Sequence, residues 1–285
     1  MIYDLHTHTT ASDGTLTPEA LVSRAKSQGV DVLAITDHDT TSGLQAAIEV
    51  ADKSDLSLVS GIEFSCEWSG RVIHVVGLCI SPNSPVIREN ILAQAALRDQ
   101  RAEAIAVKLA KQGIPDALVG ASVYADGGVI GRPHFAKYLI EKGYVKDFNA
   151  AFKRYLGDGK SAFVKQEWPH ITKVVEWINE AGGIAVLAHP DKYKMTRTKL
   201  KALLTDFVAV GGVAMEVVSG KQTPNVTQKL ARLAQELGLY ASCGSDFHSP
   251  GQAWQELGGF SEMPVNIPTV WQHSRFKPLV PTEKE

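Results

Sequence analysis

The chain has 285 residues, 44% of them hydrophobic and 21% charged, with a formal net charge of −2. That is enough for one large α/β barrel, or for a core domain with an insertion, at the composition of an ordinary globular protein. The near balance of charge excludes a global basic field for long nucleic acid, so any nucleotide recognition has to be local. Three scattered cysteines, Cys66, Cys79 and Cys243, form no Cys-x-x-Cys pair. They point to a reduced, cytoplasmic protein without structural disulfides. The apolar runs are much shorter than a membrane span, so no membrane partner is expected, and a strand starting at residue 3 leaves no room for a signal peptide.

The first strand is predicted over 3–7. It places His6 and His8 two residues apart, where both imidazoles face one way. A turn at Ser12-Asp13-Gly14 brings a carboxylate back to the same end. Thr17-Pro18 opens a helix that Gly29 ends. A buried strand over 30–36 runs into Asp37-His38-Asp39, and a helix over 42–53 leads to a strand over 56–62 ending at Glu63. A further strand over 71–80 contains His74. Only Glu67-Trp68-Ser69-Gly70 joins these last two, so a helix is missing there and their pairing is left open.

Residues 85–165 read differently: helices over 88–111, 133–142 and 148–156, and no strong strand. Three helix–strand units come after it, with strands over 184–188, 213–218 and 240–244. The first ends in His189-Pro190 and the last in Ser245-Asp246-Phe247-His248. Alternating strands and helices argue a parallel sheet, and seven strands in this length argue an imperfect barrel. The predicted organisation is a catalytic barrel over 1–84 and 166–285, with a helical insertion over 85–165. The Pro-rich tail after Gly258 is expected to run over the surface.

Polar residues recur where strands end, which is where parallel α/β folds assemble their sites. The candidates are His6, His8, Asp13, His38, Glu63, His74, His189, Asp246 and His248, and they take six of the nine histidines in the chain. A lone His-x-His reads equally well as two surface histidines; the recurrence decides against that. Nine donors are too many for one ion and suit two or three with a bridging carboxylate. Without thiolates the set favours Mn, Zn or Fe. Clustered ions suit phosphate ester cleavage.

These motifs, with Asp4-Leu5-His6-Thr7-His8, Gly61-Ile62-Glu63 and Ala188-His189-Pro190, resemble the PHP (polymerase and histidinol phosphatase) family. The resemblance implies a distorted (β/α)7 TIM-like barrel with a trinuclear metal centre, manganese being the first expectation. It implies one ion on His6, His8, Glu63 and Asp246, a second on Glu63, His74 and His189, and a third on Asp13, His38 and His248. It also implies a metal-bridged hydroxide held by Glu63, Asp246 and His189 as the nucleophile. Within the family the chain is most similar to nucleoside 3′,5′-bisphosphate phosphatases that also trim short RNAs from the 5′ end. Arg98-Asp-Gln-Arg101 and Gly131-Arg132-Pro133-His134 match that subgroup.

The insertion can also be read without the family. Ile91, Ala95, Arg98, Arg101, Ala102, Ile105 and Leu109 share one stripe of an ideal helix, so two arginines sit on an apolar face. Buried arginine needs an anion. The bland partner is a carboxylate such as Glu103 or Asp116; the functional one is a substrate phosphate. Arg132 and His134 flank a helix start, which favours anions, against a solvent-facing reading of His134. Gly157-Asp-Gly-Lys160 lacks the pattern of a phosphate loop. The tryptophans, Trp68, Trp168, Trp177, Trp254 and Trp271, read as packing residues rather than a stacking platform, Cys243 as buried filler, and His170 and His273 receive no role. The sequence therefore predicts a metal-dependent phosphoesterase for nucleotides or short RNA. The alternatives are a histidinol-phosphate phosphatase and a non-catalytic, metal-stabilised interaction domain.

Overall fold

The computed structural model describes residues 1–279. Seven strands form one sheet in sequence order: β1 (Tyr3–Asp4), β2 (Val32–Ile35), β3 (Ser57–Trp68), β4 (Arg71–Leu78), β5 (Ile184–Leu187), β6 (Ala214–Ser219) and β7 (Tyr240–Gly244). The sheet curls until β7 meets β1. Leu5 N donates to Cys243 O at 3.1 Å, Asp246 N to His6 O at 2.9 Å and His8 N to Phe247 O at 2.9 Å. These bonds close the ring at β1 and β7, while residues 71–73 in the outer part of the β3–β4 hairpin pair only within the hairpin.

The open question of β3 and β4 resolves as an antiparallel hairpin, and β4 is antiparallel to β5 as well. Ser69 and Gly70 both have positive φ, 50° and 73°, as a tight two-residue hairpin turn demands. Because β4 runs backwards, its early residue His74 lies at the barrel end where the parallel strands finish. That is why His74 sits inside its strand and still reaches the others.

Two kinds of core separate the layers. Leu5, Val32, Ala34, Val59, Val76, Leu78, Ile184, Val186 and Ala214 form a cluster drawn almost wholly from strands, which is the barrel interior. The alternate strand residues pack outward. Leu33, Ile35 and Leu58 meet Leu21, Val22 and Ala25 of α1 (Pro18–Ser27) and Leu44 and Ala47 of α2 (Leu44–Ala51). Val75, Ala185, Leu187 and Met215 meet apolar pairs from three helices C-terminal to the insertion. The pairs are Val174 with Ile178, Leu203 with Phe207, and Leu230 with Ala234. Thr17 caps α1 as expected, accepting from Ala20 N.

The insertion contains α3 (Pro85–Ala110), α4 (Ala117–Ala125), α5 (Arg132–Glu141) and α6 (Phe148–Ala151), which runs into a π-helical turn (Phe152–Leu156). The helix α4 was not anticipated. Its Gly120 sits where a Cβ would meet Cδ2 of Tyr138 at 1.9 Å, so the glycine that weakens its helical pattern is what lets it cross α5 closely. The insertion has its own apolar cluster, including Ile105, Leu109, Phe135, Leu139 and Leu156. Ile87, near the start of α3, belongs instead to the barrel's outer cluster. One 26-residue helix thus serves both bodies. After it come α7 (Ile171–Glu180), α8 (Arg197–Ala209) and α9 (Pro224–Glu236).

The tail departs from expectation. Rather than only covering the surface, it closes the barrel floor. Ala241 N donates to Pro268 O at 2.8 Å, Val270 is fully buried with the interior cluster, and Trp271 stacks on Tyr3 at 4.2 Å. Short strands leave the bottom of the barrel open, and apolar side chains from the tail fill it. Among the described residues no helix is long and apolar enough to cross a membrane.

At the seam, a Cβ on Gly244 would lie 2.4 Å from His6 Cβ and 2.7 Å from His6 N. Backbone cannot swing aside as a side chain can. Gly244→Ala should therefore lower stability by about 1–3 kcal/mol, as overpacking does, and thermal unfolding would read it. An unchanged midpoint would mean that β7 and β1 do not close the barrel here.

Candidate metal centre

The site forms toward the C-terminal ends of the parallel strands, although Glu63, expected to end its strand, sits midway along β3, which continues to Trp68 because its second half pairs with β4. Two carboxylates inside the motifs shape the loops that carry it. Asp37 accepts from Thr9 N at 2.7 Å, Thr9 Oγ1 at 2.7 Å and Ser12 Oγ at 2.6 Å, which folds the first loop and presents Asp13. Asp4 accepts from Ser245 N at 2.8 Å and Gly258 N at 3.0 Å, which fixes the loop of Asp246. Asp39, His189 and Asp246 all take positive φ, 52°, 29° and 54°, just past β2, β5 and β7. Such backbone is unfavourable for these residues and turns the chain sharply at each strand end.

All nine sequence-derived donors converge. Glu63 is central and fully buried. Its Oε1 lies 3.0 Å from His74 Nδ1 and 3.0 Å from His189 Nε2. Its Oε2 lies 2.9 Å from His38 Nδ1, 3.3 Å from His6 Nε2 and 3.4 Å from His8 Nε2. Asp246 Oδ1 is 3.6 Å from His6 Nε2 and 3.4 Å from His8 Nε2. Asp13 reaches His248 Nε2 at 3.3 Å and His38 Nε2 at 3.9 Å. Donor atoms that lie within 4.8 Å of one another fall into four groups: His8, Asp13, His38 and His248; His6, Glu63 and His189; His6, His8 and Asp246; and His38, Glu63 and His74. Glu63 belongs to two of these, as a bridging carboxylate would.

The donors fit divalent ions better than they fit one another. Five buried atoms, His8 Nδ1, Asp13 Oδ1, His38 Nδ1, Glu63 Oε2 and His189 Nδ1, have no hydrogen-bond partner, and His38 Nδ1 and Glu63 Oε2 are among them despite their 2.9 Å approach. His6 and His8 face each other, Nε2 to Nε2, at 3.1 Å. Burial and the adjacent His248 and His38 push the His8 imidazole down to about 3. Burial acts the same way on His248, but Asp13 outweighs it and raises it to about 9. Burial works against ionised Glu63, yet His38, His6 and His74 hold its carboxyl well below the usual range. Imidazoles are thus forced apart into charged and neutral forms around fixed carboxylates. Divalent cations would take the place of those protons.

Glu216 was missed in the sequence. It points from β6 into the barrel, its Oε1 2.5 Å from His6 Nδ1, while its Oε2 accepts from His189 N at 2.7 Å. The signal was a lone acid in the apolar run Ala214-Met215-Glu216-Val217-Val218. Lys192 was missed too; its ammonium pairs with Asp246.

A cavity of about 810 Å³ lies between this cluster and the insertion. Asp13, His38 and His74 line it on one side, and Arg98, Arg101 and Arg132 on the other. The three arginines differ. Arg98 is spoken for: its Nε donates to Asp39 Oδ2 at 2.7 Å and its Nη2 to Ser65 Oγ at 3.0 Å. Its carboxylate is Asp39 of the barrel, not Glu103 or Asp116. Arg101 lies against the Trp168 ring at 5.8 Å, and its Nε is buried without a partner. Burial, then Arg132 and Arg98, pull its guanidinium down to about 9. Arginine does not give up its proton in practice, so this measures how poorly its charge is met. Arg132 lies 5.6 Å from the Phe152 ring and only 3.7 Å from the exposed Asp158 carboxylate. His134 is buried rather than solvent-facing. Its Nδ1 accepts from Gly131 N at 3.0 Å and burial lowers it to about 4, so it is neutral with only Nε2–H left to donate.

A closed barrel with histidine and carboxylate donors at its strand ends, opening on a cationic cavity, defines the class of metal-dependent hydrolases. The PHP domain model matches residues 4–189, and the chain belongs to that family. A 5′-3′ exoribonuclease of Haemophilus influenzae is 48% identical over 270 residues, which cover 95% of this chain and 98% of the relative. A 3′,5′-nucleoside bisphosphate phosphatase of Chromobacterium violaceum is 37% identical over 281 residues, 98% of this chain and 99% of the relative. A solved structure from C. violaceum, described as an amidohydrolase with sulfate bound and no metal, superposes with a TM-score of 0.90 at 38% identity, covering 95% of each chain.

Glu216 fixes the His6 tautomer, leaving Nε2 as the donor toward the cluster. Such outer partners typically contribute ten- to hundredfold in metal affinity. Glu216→Gln is therefore expected to weaken metal binding by about that factor in a titration of the metal-free protein, with the fold retained by circular dichroism. Wild-type affinity in the variant would remove Glu216 from the site.

Proposed function

We propose that this protein hydrolyses the 3′-phosphoester of nucleotides that also carry a 5′-phosphate. Nucleoside 3′,5′-bisphosphates and the 5′ ends of short RNAs are then one kind of substrate. The observation that carries this is Arg101, a half-buried guanidinium whose buried Nε has no partner and which makes no ion pair among the described residues, in the same cavity as Asp13, His38 and His74. The names of the relatives, an exoribonuclease and a bisphosphate phosphatase, support it.

Two or three divalent ions would be held by His6, His8, Asp13, His38, Glu63, His74, His189, Asp246 and His248. Manganese is the preferred assignment, with zinc and iron as the alternatives that imidazole and carboxylate donors also suit. When bound, such ions neutralise the reacting phosphate and activate water near neutral pH. The remaining roles fall to the chain. Glu63, fixed by five imidazoles, sets the spacing of the centre. Lys192 keeps a positive charge against Asp246 at the cavity wall. Arg101 and Arg132 bind the 5′-phosphate that does not react, with His134 able to add one neutral donor. Residues 85–165 act as a cap that carries these groups. Water adds to phosphorus, the P–O3′ bond breaks and O3′ takes a proton. A bisphosphate yields the 5′-monophosphate and inorganic phosphate. An RNA yields its first nucleotide as a 5′-monophosphate and a shortened chain that again begins with a 5′-phosphate. A substrate with one phosphate, such as histidinol phosphate, leaves Arg101 unanswered.

The two arginines of α3 should separate in kinetics. Arg101→Ala removes a charge-assisted bond worth about 1.5–3 kcal/mol. It should therefore lower kcat/KM for a 3′,5′-bisphosphate roughly ten- to hundredfold, mainly through KM, and leave a simple phosphomonoester nearly untouched. Arg98→Ala instead strands the buried Asp39, at a cost of about 3–5 kcal/mol in stability. It should lower Tm and impair both substrates alike. Equal losses from Arg101→Ala on both substrates would count against the 5′-phosphate assignment.

A further inference from the structure

A second cavity, of about 240 Å³, opens beside the first. His189 and Lys192 form its wall toward the metal donors, and Lys221, Trp254 and Gln255 stand farther out. Lys192 lines both cavities. The two spaces therefore flank the donor cluster, and the arginines of the insertion reach only the larger one. Nothing in the chemistry of a 3′,5′-bisphosphate requires the smaller.

Its outer wall is built and cationic. Trp254 is 59% exposed, a large aromatic face left to solvent next to the site. Its backbone is pinned: Lys221 N donates to Trp254 O at 2.7 Å. A Cβ on Gly220, which has φ +61°, would come within 2.6 Å of the same oxygen. Gln222 locks the loop from below, donating to Val217 O at 2.7 Å and Thr227 Oγ1 at 2.8 Å. Gln255 holds the other side, donating to Asp246 O at 2.8 Å. The Lys221 ammonium has no ion-pair partner among the described residues, and Asp191 is the only acid on the described walls.

We propose that this cavity is the subsite for the nucleotide downstream of the scissile phosphate in an RNA substrate. The inference rests on the phosphoesterase reading above. A bisphosphate ends at the reacting phosphate. An RNA continues from that phosphorus through O5′ into a second nucleotide, and the first nucleotide already fills the larger cavity. The second must leave the donor cluster past Lys192, into the space that Trp254 and Lys221 enclose. Its base stacks on the Trp254 indole, and its own 3′-phosphate meets Lys221. Stacking of this kind tolerates any base, which suits removal of nucleotides one after another. The P–O3′ bond that breaks is the same in both substrates, so the subsite alters binding of RNA without altering the reaction. Trp254, expected from sequence to be a packing residue, is then the residue that separates a nuclease from a nucleotide phosphatase.

The test uses the full-length, metal-loaded enzyme with adenosine 3′,5′-bisphosphate and a 5′-phosphorylated five-nucleotide RNA. Trp254→Ala should lower kcat/KM for the RNA about tenfold, within the range of a lost base stack, and leave the bisphosphate unchanged. Trp254→Phe should restore most of the RNA activity. Lys221→Ala should weaken the RNA and reduce the salt dependence of its binding. Anisotropy of a labelled, hydrolysis-resistant RNA should show the same order of affinities without turnover. Equal losses on both substrates, or no loss on the RNA, overturn the subsite while leaving the phosphoesterase reading intact. A wild-type enzyme that turns over neither substrate overturns that reading and the subsite with it.

Discussion

The rest of the structure depends on one buried carboxylate. Glu63 has no solvent exposure, yet five imidazoles lie around it, carried by the ends of three parallel strands and by one reversed strand. A carboxylate in such a place is costly unless opposite charge answers it. The barrel supplies that answer only if β1, β2, β4 and β5 bring these residues to the same height. Closure of the sheet, the sharp left-handed turns after the strands and the reversal of β4 all serve this meeting. The geometry that makes the fold hard to assemble is also what makes its centre suited to multivalent cations.

Much of this could be read from the chain, and for a physical reason. Most donors follow a short apolar run in the sequence, so looking past such runs is enough to collect His6, Glu63, His189 and Asp246, while Asp13 in its turn and His74 inside its strand were found from the other motifs. What remained hidden depends on contacts between residues far apart in sequence. The direction of β4 is set by a two-residue turn whose glycine was visible, whereas the continuation of β3 from Glu63 to Trp68, which makes the hairpin, was not. Arg98 could be recognised as needing an anion, whereas its actual partner, Asp39, lies 59 residues away. Glu216 carried a local signal, an acid in an apolar strand, but its role appears only when closure of the barrel through β7 brings His6 within its reach. The tail looked like surface because proline interrupts it, yet Val270 and Trp271 are needed to fill the barrel floor.

The insertion divides two duties among chemically identical side chains. Arg98 and Arg101 are three residues apart on one helix, and both lie near the Trp168 ring, at 5.4 and 5.8 Å. One pairs with a barrel carboxylate and fastens the helix; the other lines the cavity with its Nε unpartnered and no ion pair among the described residues. A small difference in direction separates a structural pair from a charge held ready for a ligand. That contrast supports the proposed reading more than the number of arginines does, since a count cannot tell a satisfied guanidinium from an unsatisfied one.

The continuity of α3 has a mechanical consequence. Its first turns pack on the barrel and its last turns form part of the insertion's own core, with no break between them. A cap joined by loops could swing; one joined by an unbroken helix, pinned midway by Arg98 and Gln94 to Asp39, can move only by bending that helix. The span from Glu63 to Arg101 is therefore held as a fixed gauge. On the proposed reading, molecules would be sorted by whether two phosphates can bridge that span, and selectivity would become a matter of length before it becomes one of base identity.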